Sequence, residues 1–221
     1  MASPETGGLG GRELLRLIVG QSCVHASMAG MRMAAPLMAL REGYSAAAVG
    51  VLLALFALSQ VFLALPSGRY ADRHGVKRPV AIGVVAAVLG VGVGAAFPVF
   101  PVLCASALAV GGAAGVASIA LQRHVGRVAS GTAQMRRAFS WLAIGPAISN
   151  FIGPFLAGLL IDHAGFRASF TMLALLPLIG WLWVRGVQEQ VSPPPPASAA
   201  SSPAWTLLRE PNFRRLMLVN W

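Results

Sequence analysis

Gly68-Arg69-Tyr70-Ala71-Asp72-Arg73-His74-Gly75-Val76-Lys77-Arg78 joins two long apolar runs, and its skeleton returns ninety residues later. Gly68, Asp72, Gly75 and Lys77 in the first copy correspond to Gly158, Asp162, Gly165 and Arg167 in the second, all at the same offset. Repetition at a fixed period marks one supersecondary unit stacked on its twin. The repeat extends beyond the turn, since Ser59-Gln60 corresponds to Ser149-Asn150.

The runs on either side of each copy identify the solvent. Of the 221 residues 56% are hydrophobic and 11% charged, with a mean hydropathy of +0.70; a soluble domain carries about 25% charged residues. Predominantly apolar stretches at 17–40, 46–66, 79–97, 101–121, 138–160 and 168–184 each approach the roughly 17 to 25 residues that cross a bilayer as helix. They predict six transmembrane helices. A strand barrel is excluded, because barrel strands are only about ten residues long and alternate strictly. Backbone groups in hydrocarbon must be paired within helices, so the expected fold class is an all-α membrane protein.

The net charge of +10 would suit a nucleic-acid partner if the basic residues formed one patch. They do not. Threading the six spans collects Arg12, Arg16, Arg69, Arg73, Lys77, Arg78, Arg123, Arg127, Arg136, Arg137, Arg185, Arg209, Arg214 and Arg215 on one side and leaves Arg41 and Arg167 on the other. Such asymmetry is the positive-inside rule; it predicts a cytosolic N-terminus in the cytoplasmic (inner) membrane, with the lipid bilayer and no nucleic acid as partner. The first run is too long for a cleaved signal and contains His25 and Arg32. With three spans per repeat, an odd number of crossings puts the first copy of the turn in the cytosol and the second outside. The triplets are therefore expected to form a 3+3 inverted repeat.

The expected organisation is a cytosolic tail at 1–13, a six-helix bundle at 14–185, a linker at 186–209 and the start of a seventh transmembrane helix at 210–221. The linker contains Pro193-Pro194-Pro195-Pro196 followed by Ala and Ser, a composition that forms an extended connector. Leu216-Met217-Leu218-Val219 opens another apolar run that stops at Trp221, which reads as truncation.

The eleven residues from Gly68 to Arg78 resemble motif A of the major facilitator superfamily, the signature between its second and third helices. Gly153-Pro154 followed by Gly158 resembles motif C of its antiporter branches, with Ser149 and Ala157 at positions usually glycine. The helix-four arginine of motif B has no counterpart, since 107–115 carries no charge. The resemblance covers about 14–185 and implies the N-terminal half of a twelve-helix transporter. It further implies alternating access between two bundles, a small organic solute, and efflux or antiport in preference to enzymatic catalysis. Gly68, Asp72, Arg73, Gly75, Lys77 and Arg78 would then form a conformational latch against the missing C-terminal six-helix half, and Gly153, Pro154 and Gly158 a helix-five motif. Protons would be the coupling ion, but no Asp or Glu lies in any of the six runs. A coupling carboxylate would have to belong to the missing half. The competing reading is a non-transporting, truncated six-helix membrane protein that acts as an interaction or assembly partner.

Candidate solute-binding residues are the polar groups within the runs: Gln21, His25, Arg32, Gln60 and Asn150. Gln21, His25, Met28 and Arg32 are spaced four, three and four apart and share a helix face. An arginine at the centre of a span costs about 2.5 to 3.5 kcal/mol on insertion scales, so Arg32 either snorkels to the outer interface or faces a water-filled cavity where it attracts anions. His25 is either a hydrogen-bonded packing residue or a proton carrier, and Gln60 and Asn150 bond either a solute or a neighbouring helix. Gly111, Gly112 and Gly115, and the stripe of Gly145, Ser149 and Gly153, suit close helix packing. Cys23 and Cys104 lie at different depths, which disfavours a disulfide. His74, His124 and His163 are assigned to short loops, and no metal-ligand spacing occurs. No metal, catalytic residue or cofactor is expected.

Overall fold

The computed structural model describes residues 10–129 and 131–187, and every regular element among them is an α-helix. They are α1 (Gly11–Arg41), α2 (Ala46–His74), α3 (Lys77–Ala96), α4 (Phe100–Val128) and α5 (Thr132–Val184). Local chemistry sets several ends. Ser45 caps α2 by accepting from the Ala48 N–H at 3.2 Å, and Pro101 opens α4, where its missing donor costs nothing.

At 53 residues α5 would be roughly 80 Å long if straight, far beyond the roughly 30 Å of a hydrocarbon core. It breaks at Gly165 into limbs 132–164 and 166–184, with φ 81° and ψ 175° at the break. Gly75, ninety residues earlier, ends α2 at φ 74° and ψ −164°. Both sit in a backbone region that is essentially open to glycine alone. The two copies of the sequence pattern thus make the same chain reversal.

Packing repeats as well. α1 and α4, the first helices of the two triplets, carry the most continuous buried faces; Met31, Ala34 and Ala35 of α1 and Ala107, Val110 and Ala120 of α4 are wholly enclosed. α1 lies along both limbs of α5, as α4 lies along α2 and α3. Ser149 of α5 donates to the Ser22 carbonyl of α1 at 2.8 Å. Beside the corresponding place, one residue before Gly112, a Cβ on Gly111 of α4 would lie 2.7 Å from Ser59 Oγ and 2.5 Å from the Phe56 carbonyl of α2. A Cβ on Gly180 would sit 2.8 Å from the Gly20 carbonyl of α1, and one on Gly90 would sit 2.5 Å from Ala109 Cβ of α4. Small residues here let helix backbones touch, the packing role expected for the Gly111 and Gly145 stripes.

The described helices α2, α3, α4 and α5 are long and apolar enough to cross a membrane, and α5 contains the fifth and sixth expected runs. α1 is 31 residues long but does not join them. Gln21, His25 and Arg32 dilute its hydropathy; Gln21 is enclosed, His25 half-buried and Arg32 exposed. Elsewhere the outer surface is apolar: Val61, Phe62 and Phe151 are 72%, 71% and 69% exposed.

The helices outrun the apolar stretches. α1 starts at Gly11, before the expected 14; α2 continues to His74, α4 to Val128, and α5 begins at Thr132. The expected loop at 68–78 is therefore mostly helix, with Gly75 and Val76 making the turn. Intrahelical hydrogen bonds continue past the apolar run because Arg69 and Arg73 tolerate water. His124 and His163 are likewise inside helices, and His74 is the last residue of α2. Residues 1–9, 188–209 of the expected linker and the expected seventh-helix start at 210–221 lie outside the described residues.

Candidate functional site

Two polar constellations stand out among the described residues. The first occupies the end of the bundle that carries the α2–α3 turn. Asp72, in the last turn of α2, has its carboxylate bound by Arg123 Nη1 on one oxygen and by Arg127 Nη1 at 3.4 Å on the other. Arg127 Nη1 also lies 3.5 Å from the Ala71 carbonyl. Gly68 leaves the guanidinium room, since a Cβ there would meet Arg123 Nη2 at 2.8 Å. Beside it the buried ring of His124 places Nε2 3.2 Å from Glu13 Oε1 of α1, and Arg16 Nη1 donates to the Gly186 carbonyl at 2.5 Å. One knot of charge therefore fastens α4 to α2 and α1, and α1 to the end of α5.

The resemblance grouped Asp72 with the basic residues of its own turn, and the structure adds Arg123 and Arg127 of α4 as its partners. Their spacing of four on one helix face was the available signal, but with the fourth run ended at 121 they fell among loop residues. Glu13 and His124 were missed for the same reason. Of the motif's other residues, Arg73 and Arg78 are exposed and Gly75 makes the positive-φ turn.

The second constellation lies on one flank of α1. Arg32 and Asn150 line a shallow pocket of about 230 Å³ with Ala29, Met33, Leu53 and Pro154. It brings α1, α2 and the first limb of α5 together in the half of the bundle away from the α2–α3 turn. Both polar residues are exposed, and among the described residues no carboxylate lies within ion-pair distance of Arg32.

The remaining candidates lie elsewhere. Gln21 is 2% exposed, and its Oε1, which has no partner among the described residues, would lie 3.9 Å from a Cβ on Gly145. It belongs to the α1–α5 contact. Gln60 donates through Nε2 to the Phe56 carbonyl at 3.3 Å and approaches Met28 Sδ at 3.4 Å. His25 is half-buried, and its Nδ1 has no hydrogen-bond partner among the described residues. In the helix-five motif, a Cβ on Gly153 would collide with the Ala26 carbonyl, Pro154 lines the pocket, and Gly158 approaches Met33 Cε. Cys23 and Cys104 are free thiols.

No curated protein matches the chain significantly. The family model described as Major Facilitator Superfamily matches residues 17–221, nearly the whole chain and both halves of the internal repeat. With helices throughout, apolar flanks and the Gly75 and Gly165 turns in register, the chain belongs to the major facilitator superfamily of membrane transporters.

Proposed function

We propose that this chain forms the N-terminal bundle of a secondary active transporter that moves a small organic solute by alternating access against a second six-helix bundle. The observation that carries this reading is the ninety-residue repeat with matched packing, in which α1–α5 contacts recur as α2–α4 contacts. Each half of such a transporter is an inverted pair of three-helix repeats, and the two halves rock about a central solute site. The central, polar-bearing helix α1 supports a solute path along its flank. Efflux or antiport rests on the resemblance of Gly153, Pro154 and Gly158 to an antiporter motif. Asp72 and its basic neighbours at the α2–α3 turn are proposed to latch the cytosolic side.

The test is exchange. Expressed from its whole reading frame and reconstituted in proteoliposomes, the protein should catalyse saturable counterflow of at least one solute in a panel of organic anions, cations and sugars. Absence of counterflow across the panel, in vesicles that retain folded protein, contradicts the reading.

A further inference from the structure

The pocket beside Arg32 has a chemistry of its own. Its single full charge is a guanidinium, Asn150 adds an amide on the facing helix, and the remaining lining, Ala29, Met33, Leu53 and Pro154, is apolar. Arg32 is nine residues, roughly 13 Å, from the end of α1, a depth at which a cation is expensive and needs a partner or a wet cavity. No protein carboxylate among the described residues supplies that partner. The acids of the first constellation, Glu13 and Asp72, are engaged at the other end of the bundle.

From this juxtaposition we infer that the pocket takes an organic anion with an apolar body, a carboxylate of about aromatic-ring size, whose charged end meets Arg32 and Asn150. Arginine presents a planar fork that matches a carboxylate in two parallel hydrogen bonds, and the side-chain amide of Asn150 can add a third donor. Leu53, Met33 and Pro154 leave the rest of the ligand an apolar wall. The volume of about 230 Å³ accommodates one or two fused rings. This inference rests on the transporter reading and narrows its substrate class. The alternative, an arginine that only snorkels to the interface, would give Arg32 no preference among solutes.

A cysteine at Leu53, in a Cys23→Ala, Cys104→Ala background of the reconstituted protein, reports occupancy through its rate of alkylation by N-ethylmaleimide. The probes are acetate, benzoate and 2-naphthoate, with 2-naphthamide as the neutral partner of the last. Protection should rise from acetate to naphthoate as more apolar surface is covered. The amide should need about ten- to a hundredfold higher concentration, the ratio expected for losing a charge-assisted hydrogen bond. Arg32→Lys should keep the preference for the anion, Arg32→Gln should abolish it, and Asn150→Ala should weaken protection several-fold. Should Arg32→Gln not fold, the comparison of acid with amide in the unsubstituted pocket still decides the matter. Equal protection by naphthoate and naphthamide, undiminished protection of Arg32→Gln, or no protection by any anion would each overturn the inference. Counterflow of neutral or cationic solutes alongside such a result would leave the transporter reading standing; loss of all counterflow would remove that reading instead.

Discussion

Gly165 isolates what the backbone alone contributes. Its φ of 81° lies in a region that L side chains rarely adopt, yet a Cβ there would meet nothing within 4 Å. Gly165→Ala therefore tests strain without collision, and we expect it to lower stability by about 1 to 3 kcal/mol. Gly92, inside α3 with equally open surroundings, has no such constraint. Gly92→Ala should raise stability by about 0.5 to 1 kcal/mol, since glycine is costly within a helix. Thermal unfolding of both variants in one detergent checks the pair, and a neutral Gly165→Ala would show that the break between the limbs is not held by its glycine. The residue scale also shows the limit of sequence pattern. The spacing that put Gln21, His25 and Arg32 on one face of α1 was sound, but that face wraps from the α5 contact to the pocket. Only the crossing of α1 with α5 decides which of the three is enclosed.

Among the elements, α4 is tied to α2 in two ways that differ in kind. Gly111 and Gly112 abut Phe56, Ser59 and Leu63 by close approach, whereas Asp72 joins Arg123 and Arg127 by charge. The carboxylate is 47% exposed and Arg123 is 46% exposed, so water screens the pair and it should contribute only about 0.2 to 1 kcal/mol. Asp72→Asn is accordingly expected to leave the bundle folded, and a double-mutant cycle with Arg123→Gln should give a coupling within that range. A coupling above about 3 kcal/mol would mean the pair is buried in the working protein. If the turn also acts as the proposed latch, Asp72→Asn should shift the balance of inward and outward accessibility while the unfolding temperature barely moves. These elements were legible in the sequence to different degrees. Apolar runs located each helix and missed its ends, because helices continue into the polar rim where hydropathy falls. The partners of Asp72 were hidden for a further reason: an ion pair spanning fifty residues depends on how two helices cross, which local spacing does not encode.

At the scale of the molecule, the two triplets share a turn geometry, a central helix and a packing scheme. The sequence made the repeat visible through the turn residues and the Ser59 and Ser149 pairs at one offset, and the structure adds the contacts they make, Ser149 with Ser22 and Ser59 with Gly112. What composition could not supply was where α1 puts its polar groups: Gln21 is enclosed against α5, His25 is half-buried and Arg32 opens onto the pocket shared with α2 and α5. If the two triplets are inverted, equivalent residues emerge on opposite sides of the membrane. Arg73 and His163 are such equivalents, ninety residues apart, each two residues before its turn glycine, Gly75 or Gly165, and both exposed. In the background lacking Cys23 and Cys104, Arg73→Cys and His163→Cys can each be challenged with a membrane-impermeant maleimide, before and after permeabilising the cells. The inverted repeat, with the positive-inside rule, predicts that His163→Cys labels in intact cells and Arg73→Cys only after permeabilisation. Labelling of both from the same side would contradict it.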